Sequence, residues 1–366
     1  MNKVFFVDKN VIYYSNLIDF INDENFYLEL SDTERFVLDQ IKNLSGRSVI
    51  NFDDLIFKIK KNNFEIALNT SGTTGKPKSV THTIQSITKN IMIEDKYSNS
   101  IWGLCYPVGK MAFYQVLFQS LFNQSTIINL FGYNFNLISN KIISNKISHI
   151  SATPTFYKML LSENVKFNCV SQVTIGGESS DNNLINKIKI NFPRASIKNI
   201  YASTEAASLF ASNSDTFKVP VKHKEKIKFF NNKLYLHKDL VGDIDVSQLD
   251  GDWYDTKDII EVLNNNEFKF IGRENTDINV SGFKINPFKV ESTLNSLPYV
   301  KNSIVFSKKN SVIGNILCCN IILTQPKTKV EVKGDLNKVL EKYEVPTIIN
   351  FVDTIDVNEN MKISRI

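Results

Sequence analysis

Between Ser100 and Ser203, short apolar runs alternate with longer segments of helical spacing, and this limits the possible folds more than any other feature of the chain. "SIWGLCYPVGKMAFYQVLFQSLFNQSTIINL" (Ser100–Leu130) reads as a strand, a loop, an amphipathic helix and a second strand. "ISNKISHISATPTFYKMLL" (Ile143–Leu161) repeats the order, with a strand at His149–Ala152 and a turn into a helix at Pro154. "VSQVTIGG", "DNNLINKIKINF" and "IKNIYAS" add strand, helix and strand. Strands separated by helices pair in parallel, because a parallel crossover needs a connection of about helix length. The expectation is an α/β fold whose large domain is a helix-covered, mostly parallel sheet. Ligands collect at the carboxyl ends of such strands. Three loops are expected there: Thr70–Lys78, Gly176–Ser180 and Ala202–Glu205.

The first of these loops, in "LNTSGTTGKPKSV" (Leu68–Val80), gathers glycines, hydroxyls and two lysines. Such clusters usually mark surface turns. Here the flanks give the loop a different meaning. Phe64–Leu68 reads as a buried strand, and Val80–Ile93 carries apolar residues at roughly helical spacing. Between them, glycines let backbone N–H groups converge on an anion, while Lys76 and Lys78 add positive charge. The loop is therefore suited to phosphate. It lacks the Walker pattern: Gly72 and Gly75 are too close together and Pro77 follows the lysine.

Composition narrows the partners. The chain has 366 residues, is 42% hydrophobic and 22% charged, and carries a net charge of +5. That suits a soluble core and anionic ligands, but no dense basic tract points to nucleic acid. No apolar run is long enough to span a bilayer, and the N-terminus is not a signal peptide, so a cytoplasmic location is expected. Cys105, Cys169, Cys318 and Cys319 form no C-x-x-C pair and read as buried thiols. The four histidines are too far apart to suggest a zinc site.

After about Ser208 the character changes. "KIKFFNNKLYLHKDLVGDIDV" and "DIIEVLNNNEFKFIGR" read as short antiparallel strands with Asn-rich turns. Further on, "VKNSIVFS", "NILCCNIILT", a helix over "VKGDLNKVLEKY" and "TIINFVD" predict a small α+β unit. The expected division is a large domain over 1–273, containing the small antiparallel portion, and a small mobile domain over 274–366.

Five segments occur in a telling order: "TSGTTGKPK" (Thr70–Lys78), "YASTEAA" (Tyr201–Ala207), "WYDTKD" (Trp253–Asp258), "GRENTDINVSGFKI" (Gly272–Ile285) and "NENMKISR" (Asn358–Arg365). In series they resemble the adenylate-forming superfamily of acyl- and aryl-CoA synthetases, amino-acid adenylation domains and luciferases. The resemblance runs from about Ile66 to the C-terminus. It implies that a carboxylate attacks the α-phosphate of ATP with magnesium, giving an acyl-adenylate and pyrophosphate. Such a transition state concentrates negative charge and needs positioned donors, a metal and a cation.

The resemblance also implies roles. Thr70, Ser71, Gly72, Thr73, Thr74, Gly75 and Lys76 would hold the β- and γ-phosphates. Tyr201 would stack on adenine, Thr204 would touch the α-phosphate, and Glu205 would coordinate magnesium. Asp258 would accept hydrogen bonds from the ribose hydroxyls, with Arg273 on the other side, and Gly177 and Glu178 would belong to the same ATP site. Lys362, from the C-terminal segment, would bridge the carboxylate and the α-phosphate. Asn275 would be the pivot about which the small domain turns. Gly282 and Lys284 would then line a tunnel for the attacking thiol. Tyr106, Lys110, Gly176 and Ala202 would form the acyl pocket.

The sequence departs from the family pattern at several points. Lys257 and Met361 stand where glycines are usual, Asn275 stands where the pivot is usually Asp or Lys, and only about seventy residues precede the phosphate loop. The large domain thus reads as trimmed at its N-terminal end. The leading expectation is an acid–thiol ligase that acylates coenzyme A or a separate carrier protein and engages neither membrane nor nucleic acid. The alternatives are an adenylating enzyme with an amine acceptor and a nucleotide-binding homologue with impaired turnover.

Overall fold

The fold is given by a computed structural model. It describes the chain except residues 1–2, 24–28, 47, 63, 71–77, 162–164, 204, 243–245, 275, 281–282, 311–313 and 356–366. Strands β1 (Val4–Val7) and β2 (Val11–Tyr13) form an N-terminal hairpin, followed by helices α1 (Tyr14–Asn22), α2 (Asp32–Ser45) and α3 (Phe52–Lys61). Ser31 caps α2 in a reciprocal box: its hydroxyl accepts from the Glu34 amide at 3.3 Å, and Glu34 accepts from the Ser31 amide at 2.7 Å. Buried Glu34 also accepts from the Asn10 amide at 2.9 Å, which ties the cap to the hairpin.

Next comes an antiparallel pair, β3 (Glu65–Thr70) and β4 (Lys78–Thr83), and the short helix α4 (Ile84–Thr88). This corrects two expectations. Val80 begins no helix; the chain stays extended to Thr83, with Val80, His82 and Ile84 buried in alternation. The 80–84 spacing fits both a helical turn and a strand, and β-branched Val80, Thr81 and Thr83 favour the strand. The segment following Thr70 therefore joins two strands of a separate hairpin and does not follow a strand of the parallel sheet.

The alternating region folds as its pattern predicts: β5 (Ile101–Leu104), α5 (Met111–Phe122), β6 (Thr126–Asn129), α6 (Phe135–Ser144), β7 (His149–Ala152), α7 (Pro154–Leu160), β8 (Gln172–Gly176), α8 (Asn182–Asn191) and β9 (Ser196–Ser203), then β10 (Ala207–Ser212). One eight-stranded sheet results, in the order β10-β9-β8-β7-β5-β6-β1-β2. Strands β9 through β1 in that order run parallel, and antiparallel β10 and β2 close the two edges. The described residues up to Lys61 thus contribute two strands and three packed helices.

Both faces of the sheet are covered. Ile127 packs with Trp102, Leu117 and the N-terminal helices on one face, while Ile128 packs with Ile142, Tyr157 and Ile188 on the other. Helix α5 is less amphipathic than its sequence suggested, because it is buried nearly all round. Leaving β5, the chain passes through α5 to β6 on one side, then returns through α6 to β7 on the other. The order reverses between β5 and β7, and a crevice at such a reversal is where ligands bind in open α/β sheets.

A second sheet contains β11 (Thr216–Lys218), β12 (Ile227–Phe230), β13 (Lys233–His237), β14 (Leu249–Asp250), β15 (Trp253–Asn264) and β16 (Glu267–Arg273). Asn231 and Asn232, at φ +48° and +56°, make the two-residue turn between β12 and β13 that the Asn-rich sequence predicts. A two-stranded pair, β17 (Ile278–Val280) with β18 (Phe283–Ile285), leads into α9 (Pro287–Ser296). The C-terminal unit follows, with β19 (Val300–Asn310), β20 (Gly314–Leu323), α10 (Lys329–Leu336) and β21 (Ile348–Phe351). Its helix starts earlier than the sequence indicated, because Thr328 and Glu331 form a capping box that fixes the start at Lys329.

Cys105, Cys318 and Cys319 are buried and Cys169 is partly exposed; all four are free thiols. No described helix is long and apolar enough to cross a membrane.

Candidate active site

The carboxyl ends of β5, β7, β8 and β9 place Tyr106, Thr153, Gly176–Glu178, Tyr201–Ser203 and Glu205 along one edge of the sheet. Tyr106 lies at the reversal between β5 and β7. Its hydroxyl is 3.4 Å from the Ser151 hydroxyl, and burial pushes its pKa well up, so the phenol stays protonated. Gly177 takes left-handed backbone, φ +82°, and Glu178 accepts from the Thr155 amide at 3.0 Å. Lys110 caps α5 with its backbone and is partly exposed. Ala202 pairs with Ser208 of β10.

A dense polar cluster forms where the second sheet meets the end of β9. Asp258 of β15, 4% exposed, accepts from the Tyr201 hydroxyl through Oδ2 and from Arg273 Nε through Oδ1 at 3.0 Å. Asp258 and Arg273 face each other across the β15–β16 ladder. Burial raises the Asp258 pKa, and Arg273 and the Tyr201 hydrogen bond oppose that rise. Burial also works against the Arg273 charge, but the Asp258 and Glu205 carboxylates outweigh it and raise the guanidinium pKa. Glu205 shares this field: after burial, its charge is the main cause raising the Tyr254 pKa. The Tyr201 ring is 8% exposed and packs edge-on against Phe210, Phe217 and Phe268.

Residues assigned no site role from the sequence build this cluster. The Thr256 hydroxyl donates to the Leu234 carbonyl at 2.8 Å and accepts from the Asp258 amide at 3.1 Å, fixing the bend that turns Asp258 inward. Lys257, at φ +62°, occupies the left-handed region between them. Gly242 donates its amide to the Glu205 carbonyl at 2.6 Å. A β-carbon there would lie 2.7 Å from His82 Cε1, so only glycine lets this backbone sit against the His82 ring. The contact joins the β3–β4 hairpin to the Glu205 turn. The one sequence signal for it was an isolated glycine in "LVGD", which is weak.

Other expected site residues are placed elsewhere or are not described. Lys284 pairs with Asn279 in the two-stranded β17–β18 sheet, is exposed, and its charge acts on Asp277. Thr70 ends β3, with its backbone alone described. Ser71, Gly72, Thr73, Thr74, Gly75, Lys76, Thr204, Asn275, Gly282 and Lys362 lie outside the described residues.

Residues 40–234 match the family described as AMP-binding enzyme, and residues 289–362 match the AMP-binding enzyme C-terminal domain. The chain belongs to the AMP-binding enzyme family. Among curated relatives, the 2-succinylbenzoate–CoA ligase of Lactococcus lactis is 24% identical over 331 residues, covering 82% of this chain and 69% of the relative. Gramicidin S synthase 2 of Brevibacillus brevis is 22% identical over 379 residues, covering 93% of this chain and 8% of that much longer protein. Among solved structures, the O-succinylbenzoate coenzyme A synthetase (MenE) of Bacillus subtilis in complex with AMP has a TM-score of 0.68 at 15% identity. That match covers 100% of this chain and 95% of that one. ATP-bound MatB of Rhodopseudomonas palustris has a TM-score of 0.65 at 16% identity, covering 81% of this chain and 66% of MatB, just under two thirds. At such identities the likeness to solved structures is one of fold.

The cluster's chemistry fits a nucleotide. The Asp258 carboxylate has about four lone-pair positions, of which Tyr201 and Arg273 take two, leaving acceptors for a pair of ribose hydroxyls. Among the described residues Glu205 has no cation at ion-pair distance, so its carboxylate can serve a hard divalent ion shared with substrate phosphates.

Proposed function

We propose that this member of the AMP-binding enzyme family is a cytoplasmic acid–thiol ligase. It joins a small carboxylic acid to AMP from ATP, releasing pyrophosphate, and then passes the acyl group to the thiol of coenzyme A or of a carrier protein's phosphopantetheine arm. The observation that carries this reading is the cluster of buried Tyr201 and Asp258 with Arg273, beside Glu205 at the carboxyl end of β9, within a chain of this family.

In this reading Asp258 and Arg273 hold the ribose, and Asp258 positions Tyr201 through its hydroxyl. Glu205 and the substrate phosphates would hold magnesium, which neutralises phosphate charge. Glycines and hydroxyls of 70–76 cradle the phosphate tail. The crevice between Tyr106 and Gly176, at the strand-order reversal, receives the acid, with Lys110 at its rim. Residues 274–366 act as a small mobile domain that carries Lys362 to the reacting carboxylate and pivots at Asn275 before the thiol step. The four free cysteines suit a reducing compartment.

The test is acid-dependent exchange of pyrophosphate into ATP, measured across a library of carboxylic acids. Exchange with one class of acids supports the reading and names the substrate. AMP binding without exchange for any acid would instead identify a nucleotide-binding protein without turnover. Lys362→Ala should reduce exchange by orders of magnitude but spare thiolation of a preformed adenylate. Equal loss in both assays would remove Lys362 from its role.

A further inference from the structure

A groove of about 540 Å³ lies away from the Asp258 cluster, between helices α7 and α8 on one side and the C-terminal unit on the other. Lys158 and Lys187 line it from the helices, and Lys301 lines it from the start of β19. Among the described residues that line it, Asp181 is the one acidic residue. The described lining thus sets three lysines against one aspartate, in a space large enough for a small metabolite.

Lys187 is partly buried in the α8 wall of the groove. Burial lowers its pKa, and the Lys158 charge lowers it further, against the opposing effect of Asp181. The groove therefore presents donors and positive charge with too few acceptors. A ligand with several oxygen acceptors and negative charge would satisfy them together.

The two sides already touch. Asn183 of α8 donates to the Asn295 carbonyl, and the Ser292 hydroxyl donates to Asp181 at 3.3 Å. An anion seated between Lys158 and Lys187 on one side and Lys301 on the other would add charge-assisted bonds across the same junction.

We propose that this groove binds a small multivalent oxyanion, a phosphate ester or a polycarboxylate, which ties the C-terminal unit to α8. One consequence rests on the proposed movement of residues 274–366: occupancy favours the arrangement seen here over any in which the C-terminal unit has swung away, so the ligand acts as a brake on that movement.

The experiment is isothermal titration of the intact chain with inorganic phosphate and, separately, with citrate. Saturating AMP is present throughout, and sodium chloride of matched ionic strength serves as the control. Saturable single-site binding of either anion, weakened at least tenfold by both Lys187→Gln and Lys301→Gln, is expected. Lys189→Gln, an exposed lysine on the same helix, should leave it unchanged. Tighter binding of phosphate would mark a phosphoryl ligand, and tighter binding of citrate a polycarboxylate. No saturable binding of either anion would overturn the proposal. So would binding that survives both groove substitutions, which would assign it to the phosphate loop, or equal loss with Lys189→Gln, which would reduce it to net charge.

Discussion

Arg273 Nε sits 3.0 Å from Asp258 Oδ1, on the neighbouring strand, and this pair anchors the candidate nucleotide site. Asp258 is almost fully buried, whereas the Arg273 side chain is 38% exposed. Removing the partner of a buried charge costs about 3–5 kcal/mol, and the exposure of Arg273 lowers the expectation to about 2 kcal/mol. Arg273 holds the Asp258 pKa down against burial, so Arg273→Gln lets it rise further. The destabilisation therefore exists while Asp258 is ionised and fades as pH falls through its raised folded pKa. Urea unfolding of wild type and Arg273→Gln at pH 7 and pH 4 should show a large gap at the first and a small one at the second. An equal gap at both would show that the loss comes from packing.

Asp258→Asn tests the ribose role directly. Hydrogen bonds to a charged acceptor contribute about 1.5–3 kcal/mol, so AMP affinity should fall roughly 10- to 100-fold. Calorimetric titration with AMP measures this, and unchanged affinity would place the ribose elsewhere.

Gly242 joins two parts of the site that are far apart in sequence. A methyl group there meets the His82 ring at 2.7 Å, a separation that requires something to move. Overpacking of this kind costs about 1–3 kcal/mol. Gly242→Ala should lower the unfolding midpoint accordingly and should also weaken AMP binding, because the Gly242 amide positions the Glu205 turn. Combining it with His82→Ala frees the space and should recover part of the loss. Strictly additive losses would mean that the ring is not the obstacle.

The parallel sheet was legible because its signals are local. His149–Ala152 is a short run bounded by Pro154, with a helical pattern on either side, and the structure begins and ends the strand at the same residues. The β3–β4 hairpin was not legible in the same way, because Val80 and Ile84 satisfy two periods at once, and what decided between them was pairing with Glu65–Thr70. Asp258 and Arg273 could be singled out only by resemblance, since a lone acid and a lone base carry no pattern of their own. Thr256, Tyr254 and Gly242 were missed because their importance comes from what lies opposite them after folding. Lys257 was noted only as a departure from glycine, and its φ of +62° now supplies the reason glycine is favoured there.

That dihedral makes a prediction of its own. A residue with a β-carbon pays about 1–2 kcal/mol in the left-handed region, and a β-branched one more. Lys257 recovers some of this locally, since its amide donates to Asp255 at 2.8 Å and its ammonium pairs with the same carboxylate. The side chain is 53% exposed, so the ion pair contributes little. Lys257→Gly relieves the strain but gives the unfolded chain more freedom, which leaves stability within about 1 kcal/mol of wild type. Lys257→Val should lose more than about 1 kcal/mol and loosen the Asp258 bend. Unfolding midpoints of the three proteins should rank glycine and lysine together above valine. A valine variant as stable as wild type would show that the bend is not maintained in solution.

His149, 8% exposed, sits at the opposite end of the sheet from the nucleotide cluster, with its ring 4.6 Å from that of Trp102 and its Nδ1 2.8 Å from the Ser148 hydroxyl. Burial lowers its pKa from 6.5 to about 4. The folded protein thus binds this proton less readily than the unfolded chain. Its contribution is complete above pH 6.5 and is lost as pH falls toward 4. Between pH 7 and pH 5 the loss amounts to about 2 kcal/mol, from the linkage relation. His149→Phe removes the titrating group and keeps a ring against Trp102, so its stability should change less over that interval. Chemical denaturation at half-unit steps from pH 7 to pH 5 measures both slopes. Parallel curves for the two proteins would assign the acid sensitivity to other groups.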